Sequence, residues 1–119
     1  MIPLGPATRV FLAVGPTDLR KGFDGLGDWV RHQMKEDPLS GLLFVFSNRN
    51  RTRIKLLYWD GSGTWILAKR LEKGRFSWPR DDGEPAAPAL RILAEELTML
   101  LSGIDLEKTR SRAWWRKAA

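Results

Sequence analysis

The sequence predicts an α+β domain: a mostly antiparallel sheet of four to five strands with two main helices packed on it. Three observations carry that expectation. Ile54–Trp59 and Thr64–Lys69 are β-rich runs flanking the short turn segment Asp60-Gly61-Ser62-Gly63. Arg9–Val14 and Leu42–Phe46 are apolar runs of strand length. Leu19–Met34 and Ala89–Ser102 place their apolar residues at helical spacing.

Taken in order, residues 1–8 hold two Pro and one Gly and read as an irregular arm. The Arg9–Val14 strand ends at Gly15-Pro16. Thr17 suits a helix N-cap, with Asp18 at the positive end of the helix dipole. Leu19, Phe23, Leu26, Val30 and Met34 then share one face. Gly22, Gly25 and Gly27 weaken this helix, so a loop with the helix starting nearer Gly25 is the alternative. Asp37-Pro38 stops the element. Leu42–Phe46 is apolar on both faces and is expected at the centre of the sheet, covered on both sides.

With Asp60–Gly63 as the hairpin loop, Trp59 faces Thr64, Tyr58 faces Trp65 and Leu56 faces Leu67. Tyr58, Trp65, Leu56 and Leu67 then share one side of the sheet. Glu72-Lys73-Gly74 reads as a second turn, leading into a short strand over Arg75–Trp78. Arg80–Pro88 reads as a linker. Ala89–Ser102 reads as a helix with Leu90, Leu93, Leu97, Leu100 and Leu101 on one face, stopped by Gly103. That leucine face is expected to cover the sheet; an assembly surface is the alternative. The expected division is a single domain over residues 1–104 and a basic, flexible tail over 105–119 that ends in Trp114-Trp115-Arg116-Lys117 and two alanines.

A chain of 119 residues fits one domain with one real core. No apolar run approaches the ~20 residues of a membrane span, and Met1–Pro6 does not read as a secretory signal. The chain has no cysteine, which excludes disulfides and thiolate metal sites. A cytoplasmic location is the expectation that fits these features.

The net charge is +6 and the pI about 10.2, which favours an anionic partner. The charge is unevenly spread. Residues 48–80 hold nine Lys/Arg against two acids, a net of +7. Residues 1–47 balance, residues 81–103 carry −4, and residues 104–119 carry +3. Basic character therefore belongs mainly to a sheet-forming segment. Arg49, Arg51, Arg53 and Lys55 alternate, so an extended chain would point them one way. The hairpin brings Lys69, Arg70, Lys73 and Arg75 back beside Arg53 and Lys55. Two groups distant in sequence thus converge on one edge, suited to phosphate oxygens, with Asn48, Asn50 and Thr52 able to add hydrogen bonds. An ordinary solvated basic face is the alternative reading.

Other constellations are weaker. Trp59, Trp65 and Trp78 lie in β-rich segments and are expected in the core rather than stacked on bases. Asp24, Asp28 and His32 recur at one helix face, which a solvated polar face explains without a metal. Asp60 is expected to bond turn amides. No nucleophile triad or Walker loop is present. The expectation is a non-enzyme with neither metal nor cofactor.

Several motifs carry a resemblance. Ile54-Lys55-Leu56-Leu57-Tyr58-Trp59-Asp60-Gly61, Trp65, and Lys69-Arg70-Leu71-Glu72-Lys73-Gly74-Arg75-Phe76-Ser77-Trp78-Pro79 form the long central one. Asp18–Leu26 and Leu100–Asp105 flank it. Together they resemble the TnpB accessory family encoded by the second open reading frame of insertion-sequence-sixty-six elements, over nearly the whole chain. The resemblance implies an accessory factor for transposition, encoded beside a separate transposase. It also adds Arg20 and Lys21, in the N-terminal motif, to the phosphate-binding candidates. Combined with the charge pattern, the expected partners are transposon-end DNA and the transposase. The alternative is an adaptor that binds the transposase without touching DNA. A metal-dependent nuclease acting through Asp24 or Asp28 is the third class.

Overall fold

Val10–Ala13 and Leu43–Ser47 contain no charged residue, and both are buried along their whole length. Such strands are stable only where both sheet faces are covered. A computed structural model of the chain places them side by side at the middle of a sheet. It describes residues 5, 7–79 and 88–102, together with the backbone of 116–117.

The elements run β1 (Val10–Ala13), α1 (Phe23–Trp29), β2 (Leu43–Ser47), β3 (Arg53–Trp59), β4 (Thr64–Arg70), β5 (Ala89–Ile92), α2 (Ala94–Leu101) and β6 (Arg116–Lys117). The sheet order is β4-β3-β2-β1-β5-β6. β1 and β2 are parallel, as a crossover through α1 requires, and every other neighbouring pair is antiparallel. The expected α+β class and mostly antiparallel sheet are therefore observed. Five strands of four to seven residues are supplemented by the two-residue β6.

Each face of the sheet has its own core. On one, Leu26, Val30 and Met34 pack on Phe11, Phe44, Phe46 and Leu57. Phe11 meets Phe44, and Trp29 meets Phe46, edge to face at 6.1 and 5.7 Å. On the other, Leu97 and Leu100 of α2 cover Val10, Leu12, Val45, Ile54 and Ile92, with Phe76 and Trp78 alongside. The leucine face of α2 thus packs on the sheet.

The β3–β4 register pairs Trp59 with Thr64, Tyr58 with Trp65 and Leu56 with Leu67, as the turn chemistry predicts. Asp60 Oδ1 accepts hydrogen bonds from the Ser62 and Gly63 amides, and Gly61 has φ 103°, a conformation open to Gly and costly for other residues.

Four expectations need correction. The first helix begins at Phe23 with Gly22 as its cap. Thr17 does not cap it, because the Thr17 amide donates to Ser47 O and ties the chain to the sheet. Asp18 instead takes the Arg20 amide into a local turn. After Trp29 the coil widens into a π-wound segment, Val30–Met34, closed by Lys35 in the left-handed conformation.

Second, Arg75–Trp78 is not a strand. Gly74 turns the chain at φ 74°, and the Phe76 amide crosses to Arg51 O. Phe76 and Trp78, two apart, then enter the α2-side core.

Third, the expected helix from Ala89 starts five residues later. Ala89–Ile92 pairs with β1, Leu12 opposite Leu90 and Val10 opposite Ile92. An exposed β1 edge would leave buried backbone groups without partners, and β5 satisfies them. The Glu96 carboxylate accepts the Leu93 amide at 2.5 Å and fixes the true start of α2.

Fourth, Trp65 is not in the core: it is 47% exposed. Trp78 is buried as expected. The linker from Arg80 onward (except Pro88), the helix stop at Gly103, and Trp114-Trp115 lie outside the described residues. Of the stretch expected as a tail, only the backbone of Arg116–Lys117 is described.

Candidate nucleic-acid interface

Side chains alternate across a strand, so the β3–β4 register sorts the basic residues by face. Lys55 and Leu57 point toward α1, and Ile54 and Leu56 toward α2. Arg53 falls on the α1 side with Lys55. Opposite Arg53, on β4, stands Arg70; opposite Lys55 stands Ala68. The Leu71 amide donates to Thr52 O, so Arg53 and Arg70 form the next, non-hydrogen-bonded pair. In that type of pair the side chains approach most closely.

The loop before α1 completes the site. Lys55 Nζ donates to Lys21 O at 3.2 Å, holding that loop over the sheet. Together these parts line an open cleft of about 800 Å³. Its walls include Arg20, Arg53, Lys55 and Arg70, with Asn48 and Thr17 at one end. Two acids, Asp18 and Glu72, also line it. Asp18 grips Arg20 through two guanidinium hydrogen bonds of 3.0 and 2.9 Å. Those bonds and the Arg20 amide hold the Asp18 carboxyl down at about 2 and raise Arg20 above its ordinary value. Glu72 lies 3.6 Å from Arg70. Arg53 has no ion-pair partner among the described residues.

Of the candidates from the sequence, Arg20, Arg53, Lys55 and Arg70 are brought together in the cleft, and Lys21 borders it. Lys69 contributes to the lining, but its ammonium turns to the opposite face and donates to Leu101 O at 2.6 Å. Arg49, Lys73 and Arg75 are exposed outside the cleft lining.

Arg51 is used differently. It takes φ 58°, which ends the alternation that the row of arginines suggested. Its guanidinium donates to Val14 O at 2.9 Å and lies 4.9 Å over the Trp78 ring. Burial, and then the nearby Arg49 charge, push its pKa down. Arg51 is therefore a structural pin between the β1 end and the Phe76–Trp78 segment.

Asn48 is also absorbed by structure. Its Oδ1 accepts the Thr52 and Arg53 amides, and its Nδ2 donates to Thr52 Oγ1. It shapes the turn that presents Arg53. Thr17, which the sequence marked only as a helix cap, lies buried at the cleft with its hydroxyl unpaired. No sequence signal pointed there, because its placement depends on pairing with Ser47.

Asp24 and Asp28 lie on α1 and His32 on the π-wound segment. Asp28 approaches Arg31 at 3.7 Å. Among the described residues, no three metal-ligating side chains come together. No helix among them is long and apolar enough to cross a membrane.

The family profile described as "IS66 Orf2 like protein" matches residues 8–111. Two relatives come from Sinorhizobium fredii (strain NBRC 101917 / NGR234). The uncharacterized protein y4hO is 43% identical over 105 residues, covering 88% of each chain. The uncharacterized protein y4jC is 35% identical over 112 residues, covering 92% of each. No solved structure matches the chain. The chain belongs to the IS66 Orf2-like family, and its role is associated with transposition.

Proposed function

We propose that this protein is a non-catalytic accessory factor for transposition that holds DNA by its phosphates in the α1-side cleft, while a separate transposase performs the chemistry. The observation that carries the reading is the Arg53–Arg70 pair. Two arginines occupy directly opposed backbone positions on one sheet face, with Lys55 and Arg20 on the same walls. Like charges so placed repel, and a phosphate between them relieves that repulsion. Arginine suits the task because its planar fork matches phosphate oxygens. The described cleft lining contains no aromatic side chain, which favours backbone tracking over base stacking.

The adaptor reading keeps a specific support. Phe23 and Leu39 are among the exposed large apolar residues, and both line a second hollow of about 310 Å³ beside α1. A transposase surface would cover them.

The test is binding of purified protein to labelled transposon-end and random duplexes across a salt series. The DNA reading expects log K to fall with log salt at a slope near −0.9 per phosphate neutralised. It also expects Arg53→Glu with Arg70→Glu to weaken both duplexes. A protein that binds neither duplex at low salt overturns it, and retained binding to the transposase would then support the adaptor.

A further inference from the structure

β4 is the terminal strand of the sheet. Its seven residues, Thr64–Arg70, pair along one edge with β3, and no other strand among the described residues pairs with the opposite edge. The hydrogen bonds at the two ends of the β3–β4 ladder, Asp60 N to Gly63 O and Leu71 N to Thr52 O, fix which residues face which way. The odd-numbered residues of β4 bond to β3. Thr64, Ile66, Ala68 and Arg70 therefore direct their amides and carbonyls outward.

Edge strands are commonly protected by charges, Pro or bulges. β4 carries its charges only at one end, Lys69 and Arg70. Its middle, Trp65-Ile66-Leu67-Ala68, is uncharged, and Trp65 and Leu67 are both exposed on one face.

We infer that this edge pairs antiparallel with β4 of a second copy of the chain, about a two-fold axis through Leu67. The parity of the outward amides permits this register. Ile66 meets Ala68 of the second copy, Thr64 meets its Arg70, and up to about eight hydrogen bonds form. On the exposed face Leu67 meets its own counterpart, and Trp65 stands across from Lys69 of the second copy, whose aliphatic stem packs on the indole while its ammonium stays on Leu101 O.

Charge decides the direction. Asp60 sits at the turn end of β4, hydrogen-bonded to the Trp65 indole, and Lys69 and Arg70 sit at the other end. Antiparallel pairing brings the acidic end of each strand to the basic end of the other. Parallel pairing would stack like ends. The second copy is thus favoured over an arbitrary peptide, because one strand supplies both complementary halves.

The inference does not depend on DNA binding, but it has a geometric consequence for it. A two-fold perpendicular to the sheet keeps both clefts on one face. The two Arg70 positions then lie about 20 Å apart along the strand direction, six residues at roughly 3.3 Å each.

The test uses the absence of natural cysteine. Leu67→Cys places two thiols across a non-hydrogen-bonded pair, where Cα atoms about 4.5 Å apart allow a disulfide. Mild oxidation is expected to link most of the protein into covalent dimers, whereas Thr64→Cys, which meets Arg70 of the second copy and not another thiol, is expected to form no covalent dimer. In sedimentation equilibrium the unmodified chain is expected to dimerise with rising concentration, and Leu67→Lys to abolish this. Ala68→Pro removes an outward amide while sparing the β3 ladder and is expected to do the same; circular dichroism confirms folding of both variants. A chain that stays monomeric at every concentration overturns the inference. So does a dimer that survives in folded Leu67→Lys protein, or one that cross-links equally through position 64.

Discussion

The Arg51 guanidinium lies 4.9 Å above the ring of Trp78, and the two side chains bind consecutive carbonyls at the end of β1. Arg51 donates to Val14 O and Trp78 Nε1 to Ala13 O. Truncating Arg51 to Ala is expected to destabilise the fold by about 1–3 kcal/mol, from a lost charged hydrogen bond and a lost cation–π contact. Trp78→Phe is expected to cost a similar amount, roughly 1–3 kcal/mol, by losing the indole hydrogen bond to Ala13 O and part of the ring packing. Urea unfolding measures both. A charge-reversal test of DNA binding should therefore omit Arg51, since its loss would act through the fold.

Arg53 and Arg70 should behave in the opposite way. Removing either charge relieves repulsion between groups directly opposite, so Arg53→Ala is expected to leave stability unchanged or raise it by a few tenths of a kcal/mol, roughly. Duplex affinity is expected to fall and the salt slope to shrink by about one for each arginine removed. A variant that loses stability but keeps its salt slope contradicts the cleft assignment.

Acid should loosen the β3–β4 turn. The Trp65 indole and the Ser62 and Gly63 amides hold the Asp60 carboxyl well below its ordinary range. A depressed folded value means that the stabilisation is complete above the unfolded value near 3.8 and is lost as pH falls through the folded one. Asp18 behaves likewise, losing its contribution between 3.8 and about 2. Asp60→Asn is expected to flatten the acid limb of stability, read as thermal midpoints from about pH 5 to pH 2. Trp65 fluorescence should report the same transition locally.

Lys35 closes the π-wound segment at φ 59° and ψ 39°. That region disfavours residues with a Cβ by about 1–2 kcal/mol. Lys35→Gly is expected to stabilise the protein by up to about 1 kcal/mol, after the greater entropy of the unfolded glycine is subtracted. Lys35 lies outside the cleft lining, so duplex binding should not change.

Local chemistry made the centre of the fold legible. The Asp60–Gly63 turn set the hairpin register, and the uninterrupted apolar run at Leu43–Phe46 marked a strand covered on both faces. Legibility failed where a residue's role depended on a distant partner. Leu90 continues the leucine spacing of α2, yet it pairs with Leu12 because β1 needs a second neighbour. Arg51 alternates with Arg49 and Arg53 on paper, but a left-handed backbone sends its side chain inward. Of the site, Arg53, Lys55 and Arg70 followed from hairpin geometry, and Arg20 followed from the family motif. Thr17 and the structural duties of Asn48 emerge only from three-dimensional packing.

The position of β5 has a consequence for synthesis. Val10 is made early and its antiparallel partner Ile92 late. A nascent chain that has emerged as far as Pro79 can pair β1 through β4, but the outer edge of Val10–Ala13 is still open. The α2-side core likewise lacks Leu97 and Leu100 at that stage. Closure waits for the C-terminal quarter of the chain to leave the ribosome, so a premature stop just before Ala89 would release a sheet with an unpaired apolar strand at its edge.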